Sequence, residues 1–401
     1  MRLRRRRADE AHETHRHHLF ERRWFQRLVG VCAVFMVLFS TWCLVVSARP
    51  GNESFVAKAA DWARENHGEG LVNWIEERYY TWKAPPKGGV PDRTIALAPT
   101  TIPTTTTTAP AATTTTTAPT QPHSAAPANV VPFASPPVEN EGVWYPIGPI
   151  VGGFPSVLAA QLRPDAEHTS VLGALVWVDP KLVRFSLIPG TVEPGGEWSN
   201  AGHVPPAELP NLVGAFNGGF RFQDAEGGFY AEGREEHPLA PGAASIVVRN
   251  DGTVDIGQWG RDDALDPNVV TVRQNLSLIV DGGQPVPDLD ASDTHRWGNT
   301  LGNKVLVWRS GVGIRPDGTL VYAASNGLSV LTLATMLSQA GCVRAMELDI
   351  NPEWVTYNIF SHPDPANPAA VTGDLLLPDM ERPGDRYLQE ESRDFMALYL
   401  R

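Results

Sequence analysis

"SVLTLATMLSQAGCVRAMELDI" runs from Ser329 to Ile350, and its hydrophobic period changes halfway along. Leu331, Leu333, Ala334 and Leu337 can gather on one apolar stripe of a helix over about residues 329–340. Gly341 is a natural stop, because glycine tolerates the left-handed backbone that ends many helices. Beyond it the period falls to two. Met346, Leu348 and Ile350 then share one face of a strand, and Ala345, Glu347 and Asp349 share the other. Two carboxylates on one strand face need partners, since isolated charges are rarely buried.

Outward from this stretch, the chain from about Glu141 onward is a series of short Val/Ile/Leu-rich runs split by turn residues. Examples are "ALVWVDPKLVRFSLI" (174–188), "ASIVVRNDGTVDIG" (244–257), "LSLIVDGGQPV" (276–286) and "VGIRPDGTLVYA" (312–323). Asp-Gly between apolar runs signals a hairpin. Many strands, one clear helix and no regular strand–helix alternation predict an α+β domain built on a mixed β-sheet over 141–401. The tail from Ser361 to Glu391 is rich in Pro, Asp and Glu and reads as a surface-wrapping extension, with "RDFMALYL" docking at its end.

The N-terminal third is organised differently. Residues 1–27 hold nine arginines against four acids, leaving 24 bases against 41 acids in the remainder. An acidic globular part argues against a nucleic-acid partner, which needs a basic footprint. "LVGVCAVFMVLFSTWCLVV" (28–46) carries no charge over nineteen residues. As a helix it spans ~28 Å, close to a bilayer's hydrocarbon core. Arg22, Arg23 and Arg27 precede it, which places the N-terminus in the cytoplasm and the domain outside. A cleaved signal peptide ending at "VSA" is the competing reading. The apolar run exceeds the ~7–15 residues of a usual signal, which favours a single-pass anchor in the lipid bilayer.

Residues 47–83 then place Phe55, Ala59, Trp62, Leu71, Trp74, Ile75, Arg78 and Trp82 at helical spacing, interrupted at "HGEG". They predict a membrane-proximal helical stalk. Residues 84–140, including "TTIPTTTTTAPAATTTTTAPTQP", predict an extended, disordered Thr/Pro spacer. Cys32 and Cys43 lie in the apolar run and Cys342 is alone in the domain, so no intrachain disulfide framework or thiolate zinc site is available there.

Three segments bear residues suited to chemistry. "GAFNGGFRFQDAEGGFYAEGR" (214–234) clusters glycines, which allow close backbone approach to a ligand. Its Arg221 and Arg234 either grip a phosphate or lie in solvated turns. "VWRSGVGIRPDG" (307–318) ends an apolar run on Arg309, which needs an acid partner in the protein or on a ligand. Glu347 and Asp349, at strand positions ~6.6 Å apart, fall near the carboxyl separations used by glycosidases. Asp349-x-Asn351-x-Glu353 also suggests calcium. However, Trp354 stands where an EF-hand needs glycine and Phe360 where it needs glutamate, leaving only an irregular divalent-cation site open. His203, His237, His295 and His362 are scattered, and no Gly-x-Ser-x-Gly elbow occurs. No metal site or cofactor is expected.

Taken in order, "AFNGGF" with its continuation to "AEGR", "RSGVGIRPDG" and "LTLATMLSQAGCVRAMELD" resemble the phosphodiester glycosidase domain family over roughly residues 170–360. The resemblance implies hydrolysis of the bond between a sugar's anomeric carbon and a phosphodiester oxygen, by a bacterial, membrane-anchored member acting on envelope or extracellular glycans. It puts Asn217, Arg309 and Asp349 in the pocket. Asp349 is expected as the central carboxylate with Glu347 assisting, Arg309 on phosphate and Asn217 on a sugar hydroxyl. Gly218, Gly219, Arg221, Arg234, Asn351 and Glu353 are the further substrate-binding candidates. Family members usually continue after this aspartate with a Gly-Gly-Gly-Ser type run, whereas this chain has Ile350, Asn351, Pro352 and Glu353. Either the substrate differs and Glu347 and Glu353 are recruited, or activity is lost and a glycan-binding or scaffolding role remains.

Overall fold

The computed structural model describes residues 26–51, 53–83, 85–91, 122–225, 227–289, 297 and 306–401. The basic tail, most of the Thr tract and His295 lie outside the described residues. The chain divides into two units, Met1–Arg49 with Ser54–Asn66, and Pro50–Glu53 with His67–Arg401.

In the first unit, Gln26–Ser47 is a helix of 22 residues, long and apolar enough to cross a membrane. A second helix, Phe55–Glu65, starts at Ser54, whose hydroxyl accepts the Ala57 N–H. Trp42 meets Phe55 and Trp62 edge-on at 5.9 and 5.7 Å.

The second unit begins with the helix Glu69–Lys83 and continues into β-structure. An eight-stranded sheet runs in the order Tyr145–Pro146, Val157–Leu162, Gly173–Val178, Leu320–Leu328, Val307–Ile314, Arg344–Glu347, Leu278–Asp281, Gln284–Pro285. A second sheet orders Thr372–Leu375, Tyr357–Ser361, Leu212–Asn217, Phe395–Leu400, Val183–Ile188. A third orders Val254–Gln258, Ala244–Arg249, Val269–Gln274, Phe229–Ala231, Arg234–His237. A short ribbon, Ile150–Val151 with Phe154–Pro155, completes the set among the described residues. The fold is mostly sheet with few helices, as expected, and the strands named here pair antiparallel throughout. Asp251-Gly252 and Asp317-Gly318 form the expected hairpin turns, with φ of +76° and +80° at the glycines.

One face of the eight-stranded sheet packs on both five-stranded sheets. Val176, Val312, Tyr322, Met346 and Leu348 meet Phe216, Tyr357 and Met396 from one and Phe229 and Ile246 from the other. The opposite face, with Leu175, Trp177 and Ala345, is covered by the helix Val330–Gln339. Ser329 and Thr332 close a reciprocal capping box, and Gly341 at φ +89° ends the helix. Its buried stripe is Val330, Leu333, Ala334, Met336 and Leu337. Leu331, expected in that stripe, points outward and is 50% exposed.

The C-terminal "RDFMALYL", expected to dock on the domain, does so as a buried inner strand, with Phe395–Leu400 inserted between Leu212–Asn217 and Val183–Ile188. One boundary moves. Residues 122–140, given to the spacer on composition, pack onto the domain. The Ser124 amide donates to Asp179 at 2.7 Å, Val130 and Ala134 are buried, and Glu141 pairs with Arg163 at 2.8 Å.

Candidate active site

The pairing between Val307–Ile314 and Arg344–Glu347 is regular from Ile314↔Arg344 to Gly311↔Glu347. It then slips. The Ser310 carbonyl accepts the Leu348 N–H at 2.8 Å, while the Ser310 N–H donates to the Asp349 carbonyl at 2.9 Å. Two residues thus oppose one, which is a β-bulge, and a bulge re-aims the side chain that follows it. Strict alternation would put Asp349 beside Glu347. Instead the two carboxylates leave the sheet on opposite faces.

Glu347 faces the helix Val330–Gln339. Gly311, directly opposite, would press a Cβ to 3.1 Å from Leu333, which fixes the identity of that face. Arg309 lies two residues along, buried, donating to Glu347 Oε1 at 2.5 Å and to the Leu328 carbonyl at 2.9 Å. The expected partner of Arg309 is therefore the protein's own acid, and Arg309 does not reach Asp349. Burial raises the Glu347 carboxyl above its usual range, opposed by Arg309, and its Oε2 has no hydrogen-bond partner among the described residues.

Asp349 faces the second sheet. Its Oδ1 accepts the amides of Ile350 and Asn351 at 2.8 and 2.9 Å, and its Oδ2 accepts from Arg393 at 3.1 Å. Burial pushes this carboxyl up, while Arg393 and the two amides oppose the shift. Asn217 ends the Leu212–Asn217 strand on the same side, its Nδ2 donating to Ser310 Oγ at 3.1 Å. The Tyr322 hydroxyl lies 3.3 Å from Asn217 Oδ1, so the asparagine is oriented from two strands. Asn217, Ser310 and Asp349 thus form one connected group.

The glycines after Asn217 explain themselves by what crowds them. A Cβ on Gly218 would lie 2.0 Å from Asp394 Oδ2, and one on Gly219 would lie 3.2 Å from Arg273 and Asn275. Arg273 and Asp394 are buried together at 2.9 Å, with Arg273 also donating to Phe220 O and Gln274 O and stacking 3.9 Å from the Phe222 ring. Arg393 closes the group by donating to the Gly219 carbonyl at 2.5 Å. The side chains of Arg221 and Arg234 take other partners: Arg221 sits 4.0 Å from Glu193, and Arg234 bonds Glu197 O and covers Trp198 at 4.1 Å.

The residues replacing the expected glycine run build a packed loop. Ile350 joins Phe220, Ala225 and Val307, while Asn351 Oδ1 accepts the Glu353 amide at 3.0 Å. Glu353 pairs with Arg382 at 3.1 Å. Trp354 is ringed by Arg393, Arg386 and Arg382 at 4.4, 5.1 and 5.9 Å. Arg386 in turn holds Glu391 at 2.5 Å. Sequence reasoning missed Ser310, Arg393, Arg273, Asp394 and this arginine ring. The only signal was the Arg393-Asp394 pair placed directly before an apolar alternation.

Residues 210–349 match the phosphodiester glycosidase family. The matched span holds Asn217, the glycine cluster, Arg309 and Glu347, and ends on Asp349, so the INPEW loop and Arg393 lie beyond it. No curated protein matches the chain. Among solved structures, it is similar to the catalytic domain of zebrafish N-acetylglucosamine-1-phosphodiester alpha-N-acetylglucosaminidase, auto-inhibited by its pro-peptide. That similarity is at 16% identity and TM-score 0.40 over 63% of this chain and 87% of that one. It is also similar to a protein of Burkholderia pseudomallei K96243 described as exported, at 13% identity and TM-score 0.31 over 57% and 74%. The phosphodiester glycosidase match supports a glycosidase-like hydrolase.

Proposed function

We propose that this protein hydrolyses the bond between a sugar's anomeric carbon and a phosphodiester oxygen in envelope or extracellular glycans. The Gln26–Ser47 helix holds it at the cell membrane, with the β-domain outside the cytoplasm. One observation carries the reading: Asp349 is a buried carboxylate held between Arg393 and two loop amides, on the face that also carries Asn217 and Ser310.

In this reading, ionised Asp349 stabilises positive charge building at the anomeric carbon and orients water. The carbon–oxygen bond breaks with its electron pair leaving on the phosphate. Water supplies the new hydroxyl, and its proton passes to the departing phosphate or to solvent. Arg393 takes over the charge on that phosphate, the role first expected of Arg309. Asn217 holds a sugar hydroxyl. The Arg309–Glu347 pair stays behind the sheet and supports Asp349 electrostatically. No general acid is required, because a phosphate monoester leaves readily without one.

The test is product release from a panel of glycosyl phosphodiesters by wild type and Asp349→Asn, at equal thermal stability. A loss of about 10²-fold or more is expected. Equal rates would sink the assignment. A second reading, glycan binding without turnover, is favoured by the three hydrogen bonds already on Asp349 and by the packed INPEW loop. Binding across the panel with no product would select it.

A further inference from the structure

The helix Glu69–Lys83 exposes a row of large apolar side chains that the domain does not cover. Leu71, Trp74, Ile75 and Trp82 are 62%, 53%, 52% and 81% exposed. Their positions fall at i, i+3, i+4 and i+11, one face of a helix. Arg78, seven residues after Leu71, shares that face and stacks its guanidinium 4.9 Å from the Trp74 ring. Lys83 closes the helix with its ammonium 4.6 Å from the Tyr79 ring. Another side of the helix carries Val72, which is buried, so only part of the helix is left open. A contiguous exposed apolar row needs an occupant.

We propose that this helix lies in the interface of the lipid bilayer, its Trp, Leu and Ile side chains entering the acyl boundary and Arg78 and Lys83 meeting lipid phosphates. The proposal rests on the reading that Gln26–Ser47 anchors the chain. Tryptophan and tyrosine beside cations that can reach upward is the composition of a membrane interface belt. Chain length enforces proximity. Only 21 residues separate Ser47 from Glu69, and eleven of them are wound into Phe55–Glu65. Eleven helical residues span ~16 Å and ten extended ones ~35 Å, so the helix starts within about 50 Å of the anchor's end. A row of this chemistry tethered that near a bilayer is captured by it at high effective concentration.

The test uses the full chain reconstituted in phosphatidylcholine vesicles containing phosphatidylglycerol, with Cys32→Ser and Cys43→Ser so that buried Cys342 is the sole native thiol. Trp82→Cys carries an environment-sensitive fluorophore, and Glu139→Cys, at an exposed site on the domain, carries the control label. At position 82, nitroxide lipids should quench severalfold more than at 139 and iodide severalfold less, with a depth of about 5–10 Å below the headgroups. Alkaline carbonate extraction of the same vesicles reads the anchor separately. If the chain resists extraction while position 82 is open to iodide, the anchor stands and this inference falls. Shielding from both quenchers means that protein, not lipid, covers the face, and also overturns it. Release by carbonate overturns the anchor and this inference together.

Discussion

Arg393→Met removes the only side chain that neutralises Asp349 in the described structure, and its cost can be worked from the contacts. The guanidinium donates to Asp349 Oδ2 at 3.1 Å and to the Gly219 carbonyl at 2.5 Å, and it packs 4.4 Å from the Trp354 ring. Methionine fills the volume but supplies no donor or charge. Breaking a buried ion pair from one side costs about 3–5 kcal/mol, a hundred- to several-thousand-fold in the unfolding equilibrium. The cost must depend on pH, and the sign is set by Asp349. Its folded carboxyl titrates above the unfolded value because of burial, so the folded state binds the extra proton and stability falls as pH rises through that window. Without Arg393 the carboxyl is held up further and the fall extends to higher pH. The penalty is therefore largest in neutral to alkaline buffer and shrinks on acidification, where neutral Asp349 needs no counter-charge. Urea unfolding of the detergent-solubilised chain, followed by tryptophan fluorescence across pH, measures it. Arg393→Lys, which keeps charge but loses the planar fork, should fall between. A penalty below about 1 kcal/mol, or one that grows toward acid, would refute the reasoning.

Gly218→Ala should destabilise by about 1–3 kcal/mol, because the added Cβ would stand 2.0 Å from a carboxylate that Arg273 holds in place; a thermal melt checks it. Arg273→Met and Asp394→Asn should each cost about 3–5 kcal/mol, yet the double variant should cost clearly less than their sum, since each single leaves the other group buried without its partner. Additive costs in a double-mutant cycle would deny the pair.

The local features of this fold were legible because their causes are local. Asp-Gly pairs place hairpins, a period of 3.6 places the helix, and Ser329, Thr332 and Gly341 bound it. Leu331 went astray because four apolar residues in seven fit two stripes, and the sheet beneath selected the one through Val330 and Met336. The C-terminal strand was hidden by composition. Arg382, Arg386, Glu391, Arg393 and Asp394 look like a solvated surface, and they are buried only because each finds an opposite charge among the others, in Glu353, in Asp349 or in Arg273. Pairings 44 and 121 residues apart leave no trace in the local pattern. For the same reason Arg309 was read correctly as needing an acid, while which acid was beyond reach.

The bulge at Leu348–Asp349 divides labour that strict alternation would have merged. On an unbroken strand, Glu347 and Asp349 would share one face and compete for Arg309, and two like charges that close cannot both stay ionised cheaply in a buried setting. Slipping the ladder by one residue sends Asp349 to the other face, where Arg393, delivered by the C-terminal strand, serves it alone. Arg309 is then free to hold Glu347. Each acid gains its own counter-charge while the two remain near enough for Asp349 to raise Glu347. The tandem acids that mark the sequence thus leave one sheet from two faces, and only the acid on the Asn217 face has glycine backbone, a polar amide and an arginine around it.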